Sequence, residues 1–360
     1  MPRTFASPAR YIQAAGALGD LGRLSKQHGD STLVVADSDV WDIVGEQIQS
    51  SFDAVDGTFQ HAFFSGECTT EEIDRLTEIA SESGVEIVVG VGGGKTIDTA
   101  KSVCARSGVA FGSVPTVAST DSPTSSLSIV YGNDGVWETA EQHEFHPDFV
   151  LVDSRIIAQA PTRWFVSGIG DALATWYEAK TAWESGGTTV FGDRPTYTGK
   201  ALAETCHRLL RDHAEGAVRA VKADTVTESV EAVIEAIILL SGLGFENGGL
   251  AAAHAIHDGL TRLSAASGAT HGEKVMIGLL TQLLLEGEPD DTVRDLVSFA
   301  RSVGLPVSLA AIGVTSPTRE DLLRAGRIAC NPDGPMENEP LEITPERVAD
   351  ALLALDSVVE

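Results

Sequence analysis

Residues 86–101 read EIVVGVGGGKTIDTAK. A run apolar on both faces leads into a burst of glycine, then into a stretch with helical spacing. The run predicts a parallel strand covered by helices on either side. The glycine turn then sets a helix N-terminus, with its free N–H groups and the positive end of its dipole, in a position to hold phosphate. Three readings compete. The nucleoside-triphosphate loop GxxxxGK[ST] ends properly at Gly94-Lys95-Thr96, but its first glycine falls on Val89, and no strand-end aspartate is placed to hold magnesium. The dinucleotide fingerprint GxGxxG is met only loosely, because Gly90, Gly92, Gly93 and Gly94 run on into Lys95. Its ribose-binding acid should follow about 20 residues later, where Asp121 is a forced choice. Asp37, closing STLVVAD (31–37), is a better ribose acid, and it precedes the glycines. The third reading is a tight turn that packs helix on sheet.

Working outward, strand and helix patterns alternate. STLVVAD, FQHAFF (59–64), VEIVVGV (85–91), VAFGSVPT (109–116) and DFVLVD (148–153) read as strands, with helices over 70–84 and 94–108. SLSIVY (126–131) reads as a hairpin strand with GNDG (132–135) as its turn. This rhythm predicts a doubly wound α/β domain over 1–160. After residue 160 the pattern turns helical, near 199–222, 226–242, 247–263, 271–286, 291–303, 319–329 and 345–357, which predicts an all-α domain over 161–360. The loop NPDGPMENEPLEITP (331–345) is proline-rich and acidic.

The 360 residues are 43% hydrophobic and carry a formal charge of -27, with seven lysines against eighteen arginines. Such a charge repels nucleic acid and anionic membranes, so neither is expected as a partner. VIEAIILLSGLGF (233–245) is too short and interrupted to span a bilayer. The first residues lack the apolar core of a signal peptide, and Cys68, Cys104, Cys206 and Cys330 show no CxxC spacing, so reduced thiols and a cytoplasmic location are expected.

Histidines and carboxylates collect in the second half. GLAAAHAIHDGLTRL (249–263) reads as one helix, with His254, His257 and Asp258 near one face. In ATHGEKV, Thr270 and Glu273 form a capping-box pattern that puts His271 in the first turn of the next helix. Asp171, in SGIGDALATWYEA, reads as lying at a helix start, where an N-cap role competes with ligation. Two imidazoles and a carboxylate form an N/O set suited to zinc, iron, nickel or manganese, with a position left open for substrate. His143 and His146 read as solvated loop. PTVASTDSPTSSLS (115–128), dense in hydroxyls and holding Asp121, reads either as a polar turn or as a ligand site at the C-terminal end of the sheet.

Taken together, GGGKTIDTAK, PTVASTDSPTSSLSIVY, LVDSRIIAQAP, SGIGDALATWYEA, LLSGLGFENGGLAAAHAIHDG and THGEKV resemble the glycerol dehydrogenases of the group-III, iron-containing-type alcohol dehydrogenase superfamily, over most of the chain. The resemblance implies a dehydroquinate synthase-like fold: an NAD-binding α/β domain, an α-helical metal and substrate domain, and a site in the cleft between them. It implies a homo-oligomer, an octamer in the family. It also implies reversible, NAD-dependent oxidation of glycerol to dihydroxyacetone, with hydride leaving a metal-bound alkoxide. By resemblance, Asp171, His254 and His271 hold the metal, with Zn2+ favoured over Fe2+ because Thr175 stands where the iron enzymes place a further ligand. Asp37, Gly92, Gly93, Gly94, Lys95, Thr116, Ser119, Ser125, Leu127 and Tyr131 contact NAD, and Asp121 touches the polyol substrate. The alternatives are glycerol-1-phosphate dehydrogenase or another polyol dehydrogenase of the superfamily and, from a different class, a nucleotide sensor that binds NAD without metal.

Acid excess with scarce lysine suits a protein hydrated in high salt, where screening removes self-repulsion. The thermal unfolding midpoint should therefore rise between about 0.1 M and about 3 M KCl, as read by circular dichroism; a flat or falling midpoint would contradict salt adaptation.

Overall fold

The computed structural model describes residues 1–133 and 137–359. Contacts divide the chain into two compact units. One comprises Ser7–Pro161 with Ala220–Leu239, and the other comprises Met1–Ala6, Thr162–Arg219 and Leu240–Glu360.

The first unit is a six-stranded parallel sheet with a hairpin. Its strands are β1 Tyr11–Ala14, β2 Ser31–Ala36, β3 Thr58–Phe63, β4 Ile87–Gly92, β5 Ala110–Pro115 and β8 Phe149–Asp153, in the order β1-β8-β5-β4-β2-β3. The antiparallel hairpin is β6 Leu127–Tyr131 with β7 Trp137–Gln142. Part of its expected GNDG turn, residues 134 and 135, lies outside the described residues. Both sheet faces are apolar, which is why β4 is a continuous apolar run. Leu33, Val35 and Val88 pack on one face with Ile97, Val103 and Phe111, while Val34, Val89 and Val91 pack on the other with Leu18, Ile48 and Phe52.

Strands β2 and β4 are neighbours, with Val35 opposite Gly90. After β2 the chain proceeds to β3 on one side, and after β4 to β5 on the other. The turns following β2 and β4 thus flank a topological switch point, where sheets of this kind bind ligands. Asp37 ends the first of these strands and Gly92–Gly94 the second.

Strand β1 and the helix Ser38–Asp53 are among the elements of this unit that escaped the sequence pattern. Strand β1 has only four residues at a half-buried edge, too few for a period to show. The helix Ser38–Asp53 buries Val44, Ile48 and Phe52 at a spacing of four, a signal that was present in the sequence. The segment 220–239, expected among the helices of the second domain, packs instead with the sheet: Gln13 Nε2 donates to the Glu231 carbonyl at 2.9 Å, and Ser154 Oγ donates to the Glu231 carboxylate at 2.6 Å.

The second unit is helical, built on Thr162–Ser185, Tyr197–Val221, Gly242–Gly248, Ala252–Thr261, His271–Glu286, Asp290–Val303, Arg319–Ala329 and Pro345–Val359. The single helix expected over 249–263 begins only at Ala252, because Gly249 takes φ +98° and breaks the spiral. No helix among the described residues is long and apolar enough to cross a membrane.

The helices Thr162–Ser185 and His271–Glu286 approach through glycine. A Cβ on Gly272 would lie 1.7 Å from the Ser167 carbonyl oxygen, and one on Gly170 would lie 2.5 Å from the Gly272 carbonyl oxygen. Helix propensity alone favours alanine over glycine by about 1 kcal/mol. Overlap with backbone reverses that sign, so Gly272→Ala should lower stability by about 1–3 kcal/mol in urea unfolding, and a stabilised variant would refute this packing.

Candidate metal centre and glycine-loop crevice

At the crevice, the glycines divide their work. A Cβ on Gly90 would lie 2.8 Å from the Ala100 Cβ, and one on Gly92 would lie 2.6 Å from Thr96 Oγ1, so both serve the packing of helix Gly94–Ser107 on β4. Gly93 is that helix's N-cap and offers no side-chain cap, which leaves backbone N–H groups for a ligand. Asp37 caps the neighbouring helix, accepting from the Val40 N–H at 2.8 Å. Lys95 Nζ donates to Glu67 at 2.6 Å and lies 5.4 Å from the Tyr131 ring centroid, half-exposed. Thr116 N–H donates to the Gly92 carbonyl at 3.0 Å. Ser119, Asp121 and Ser125 are buried in the loop that follows, and Leu127 begins β6.

That loop is pinned by a pair that sequence reading passed over, Asp98 and Lys101 of the same helix. Lys101 is fully buried, and its Nζ donates to Asp98, to the carbonyls of Ser122 and Leu127 and to Ser125 Oγ. Asp98 accepts from Ser122 Oγ at 2.6 Å and from the Ile129 N–H at 3.1 Å. The motif therefore does more than hold a turn: its Asp98 and Lys101 fasten the loop that carries Asp121. His143 is not solvated as expected. It lies 2.9 Å from Ser128 Oγ and stacks on Phe145, and burial pushes it down to about 4.

In the helical unit, Asp171, His254 and His271 converge, each offering one ligand atom, with all three atoms within 4.8 Å of one another. Asp171 is not at a helix start as the sequence suggested. It sits inside Thr162–Ser185, fully buried, because the apolar stretch before it is already helical. Its Oδ1 lies 3.3 Å from His254 Nε2 and 3.0 Å from His271 Nε2. Burial alone would raise its carboxyl, but the two imidazoles outweigh burial and hold it well below the usual range. His271 comes into place as predicted: Thr270 accepts from the Glu273 N–H and Glu273 from the Thr270 N–H, a complete capping box.

Glu178 was missed. It lies two turns after Asp171 on the same helix and takes His254 Nδ1 at 2.6 Å, turning Nε2 toward Asp171. A spacing of seven within a helix was the available signal. Thr175, between them, lies 2.7 Å from Ser241 Oγ and points its hydroxyl there. His257 packs its ring edge against His271 at 4.3 Å between centroids, and burial with that neighbour pushes it down to about 4. With Asp258 as its partner at 3.1 Å, it stands outside the converging set. Two nitrogens and one oxygen, one imidazole oriented from behind by a carboxylate, make a donor set fit for a divalent cation.

The profile of iron-containing alcohol dehydrogenases matches residues 8–154. The glycolaldehyde reductase of Halobacterium salinarum is 46% identical over 99% of this chain and 98% of that protein. The glycerol dehydrogenase of Thermotoga maritima is 43% identical over 97% and 95%. This chain belongs to the iron-containing alcohol dehydrogenase family. The crystal structure of a probable glycerol dehydrogenase from Sinorhizobium meliloti superposes with a TM-score of 0.95 at 42% identity, covering 99% of both chains. The resemblance of the motifs to glycerol dehydrogenases thus extends along the full length, and the fold of a parallel α/β sheet with a helical unit is the family's.

Behind the centre lies a buried acid pair. Glu339 accepts from the Ala252 N–H at 3.0 Å and hydrogen-bonds Glu286, and burial, with Glu286 and Glu178 nearby, raises it to about 8. Folded protein keeps this proton through a window, from the ordinary 4.5 up to about 8, in which the unfolded chain releases it. Stability is therefore lost as pH rises through that window. Glu339→Gln keeps both hydrogen bonds without titrating, so its melting temperature should gain on the wild type between about pH 5 and about pH 9, a difference that opens upward; a constant difference would refute the shared proton.

Proposed function

We propose that the protein catalyses the reversible, NAD-dependent oxidation of glycerol to dihydroxyacetone, with zinc held by Asp171, His254 and His271. The observation that supports this most is the convergence of those three side chains in a chain similar over its whole length to glycerol dehydrogenases. When bound, the metal supplies Lewis acidity toward the alcohol oxygen, and NAD supplies the hydride acceptor.

The chain's own residues prepare for that chemistry. Glu178 accepts the Nδ1–H of His254 and so keeps Nε2 as a lone-pair donor. Burial of Asp171 excludes water from its carboxylate, which strengthens its hold on a cation. The N–H groups opening helix Gly94–Ser107 receive the pyrophosphate, and Asp37 accepts from the adenosine ribose, its charge repelling the 2′-phosphate of NADP. Asp121 accepts a substrate hydroxyl and orients the polyol. Ser119, Ser125, Leu127, Tyr131 and Lys95 line the cofactor, and Lys95 must trade Glu67 for phosphate.

A second reading follows from the Halobacterium salinarum relative, a glycolaldehyde reductase. Glycolaldehyde and dihydroxyacetone are both α-hydroxycarbonyls, and their reduced forms are both vicinal diols, so one donor set serves either. Glycerol 1-phosphate fits less well, since the loop at 115–128 offers hydroxyls and Asp121 but neither Lys nor Arg for a phosphate.

A panel of glycerol, ethylene glycol and glycerol 1-phosphate with NAD, and of dihydroxyacetone and glycolaldehyde with NADH, separates these readings when run with added zinc at low and high salt. Turnover of glycerol with rejection of the phosphate ester is the expected result; no turnover of any vicinal diol or α-hydroxycarbonyl would sink the proposal. His271→Ala should lose bound zinc and lower kcat/KM by on the order of 10³-fold. Full activity in zinc-free His271→Ala would remove these residues from the reaction.

A further inference from the structure

The acidic loop at 331–345 has no part in the proposed chemistry, yet it is fastened to the helix that carries His254. The helix Ala252–Thr261, which carries His254, starts in the interior, where every free N–H needs a partner. All four are met by side chains from elsewhere. Glu178 accepts from Ala251 at 2.9 Å and from His254 at 3.0 Å, Gln282 from Ala253 at 2.9 Å, and Glu339 from Ala252 at 3.0 Å.

Glu339 follows a tight turn, Pro335–Asn338, and its neighbour Asn338 grips the chain just before the same helix. Asn338 donates to the Leu250 carbonyl at 2.7 Å and to the Thr188 carbonyl at 2.8 Å, and accepts from the Thr188 N–H at 2.8 Å. Both side chains are buried. The fit leaves no slack: a Cβ on Gly187 would lie 2.1 Å from Asn338 Oδ1, and one on Gly249 would lie 2.7 Å from the Ala182 Cβ. The segment 249–251 is a break between two helices, held by the Gly249 N–H on the Phe245 carbonyl at 2.8 Å and by the Ala255 N–H on the Ala251 carbonyl at 3.4 Å, with Gly249 at φ +98° making the turn.

We propose that the 335–339 turn is a clasp that positions His254, so that retention of the metal depends on Asn338 and Glu339 although neither touches it. This rests on the reading of Asp171, His254 and His271 as cation ligands. Without the clasp, the start of the His254 helix gains freedom, and the Nε2 atom strays from the other two donors. Coupling of this kind is reciprocal: a bound cation must also tighten the turn.

The test is zinc release from the full-length protein to a chromogenic chelator at fixed temperature, with zinc content by mass spectrometry and melting temperature recorded alongside. Asn338→Ala and Glu339→Ala should release zinc faster by about tenfold or more, and Glu339→Gln, which keeps the acceptor for Ala252, should release it at the wild-type rate. An alanine variant that folds and releases zinc as slowly as the wild type overturns the clasp, while wild-type protein that binds no zinc overturns the ligand reading beneath it. A variant-free arm covers the case in which alanine prevents folding. In wild-type protein, stripping zinc should raise amide exchange at 335–341 together with 249–254, leaving 87–92 unchanged. Exchange at 335–341 that ignores zinc overturns the proposal.

Discussion

A fully buried carboxylate is costly unless positive charge or hydrogen-bond donors meet it. Asp171 is such a group, and much of the helical unit is arranged around it. Its helix must lie against His271–Glu286 closely enough for His271 to reach it, which only glycine at 170 and 272 allows. The Ala252–Thr261 helix must deliver His254 from another direction, and its buried N-terminus then needs four partners of its own. One buried charge thus constrains two helix crossings, a capping box and a set of acidic caps.

Those acids would be a liability in another setting. Placed at a helix N-terminus they face the positive end of the dipole, and the Glu286–Glu339 pair lessens its repulsion by sharing a proton. The negative field that results suits a divalent cation, in keeping with the proposed zinc site. The sheet unit solves its own problem differently. There one buried charge is Lys101, neutralised by Asp98 and by carbonyls, and it fastens a loop of small hydroxyl residues that have little apolar surface to hold them in place.

Much of this was legible in the residues. The glycine burst after a run apolar on both faces, the Thr270–Glu273 box and the three-to-four spacing after residue 160 are local signals, and the elements they announce are present. Asp37 precedes the glycines in the chain, and the strand order makes β2, which it follows, the neighbour of β4. The errors were also local in kind. A polar residue after glycines resembles a cap, so Asp171 reads as a helix start, and the apolar period continues across Gly249, so the helix reads through it.

The sequence by itself determined most of the strands and helices, because periodicity, capping and glycine act over a few residues. It also narrowed the chemistry, because the types of side chain present restrict the ligands they can hold and the combined motifs resemble those of glycerol dehydrogenases. Only the tertiary structure decided which carboxylates meet which histidines. Asp171 lies 83 residues from His254 and 100 from His271, and Glu339 lies 87 from the Ala252 it caps. Contacts at such separation depend on how whole helices pack, and no local pattern encodes them.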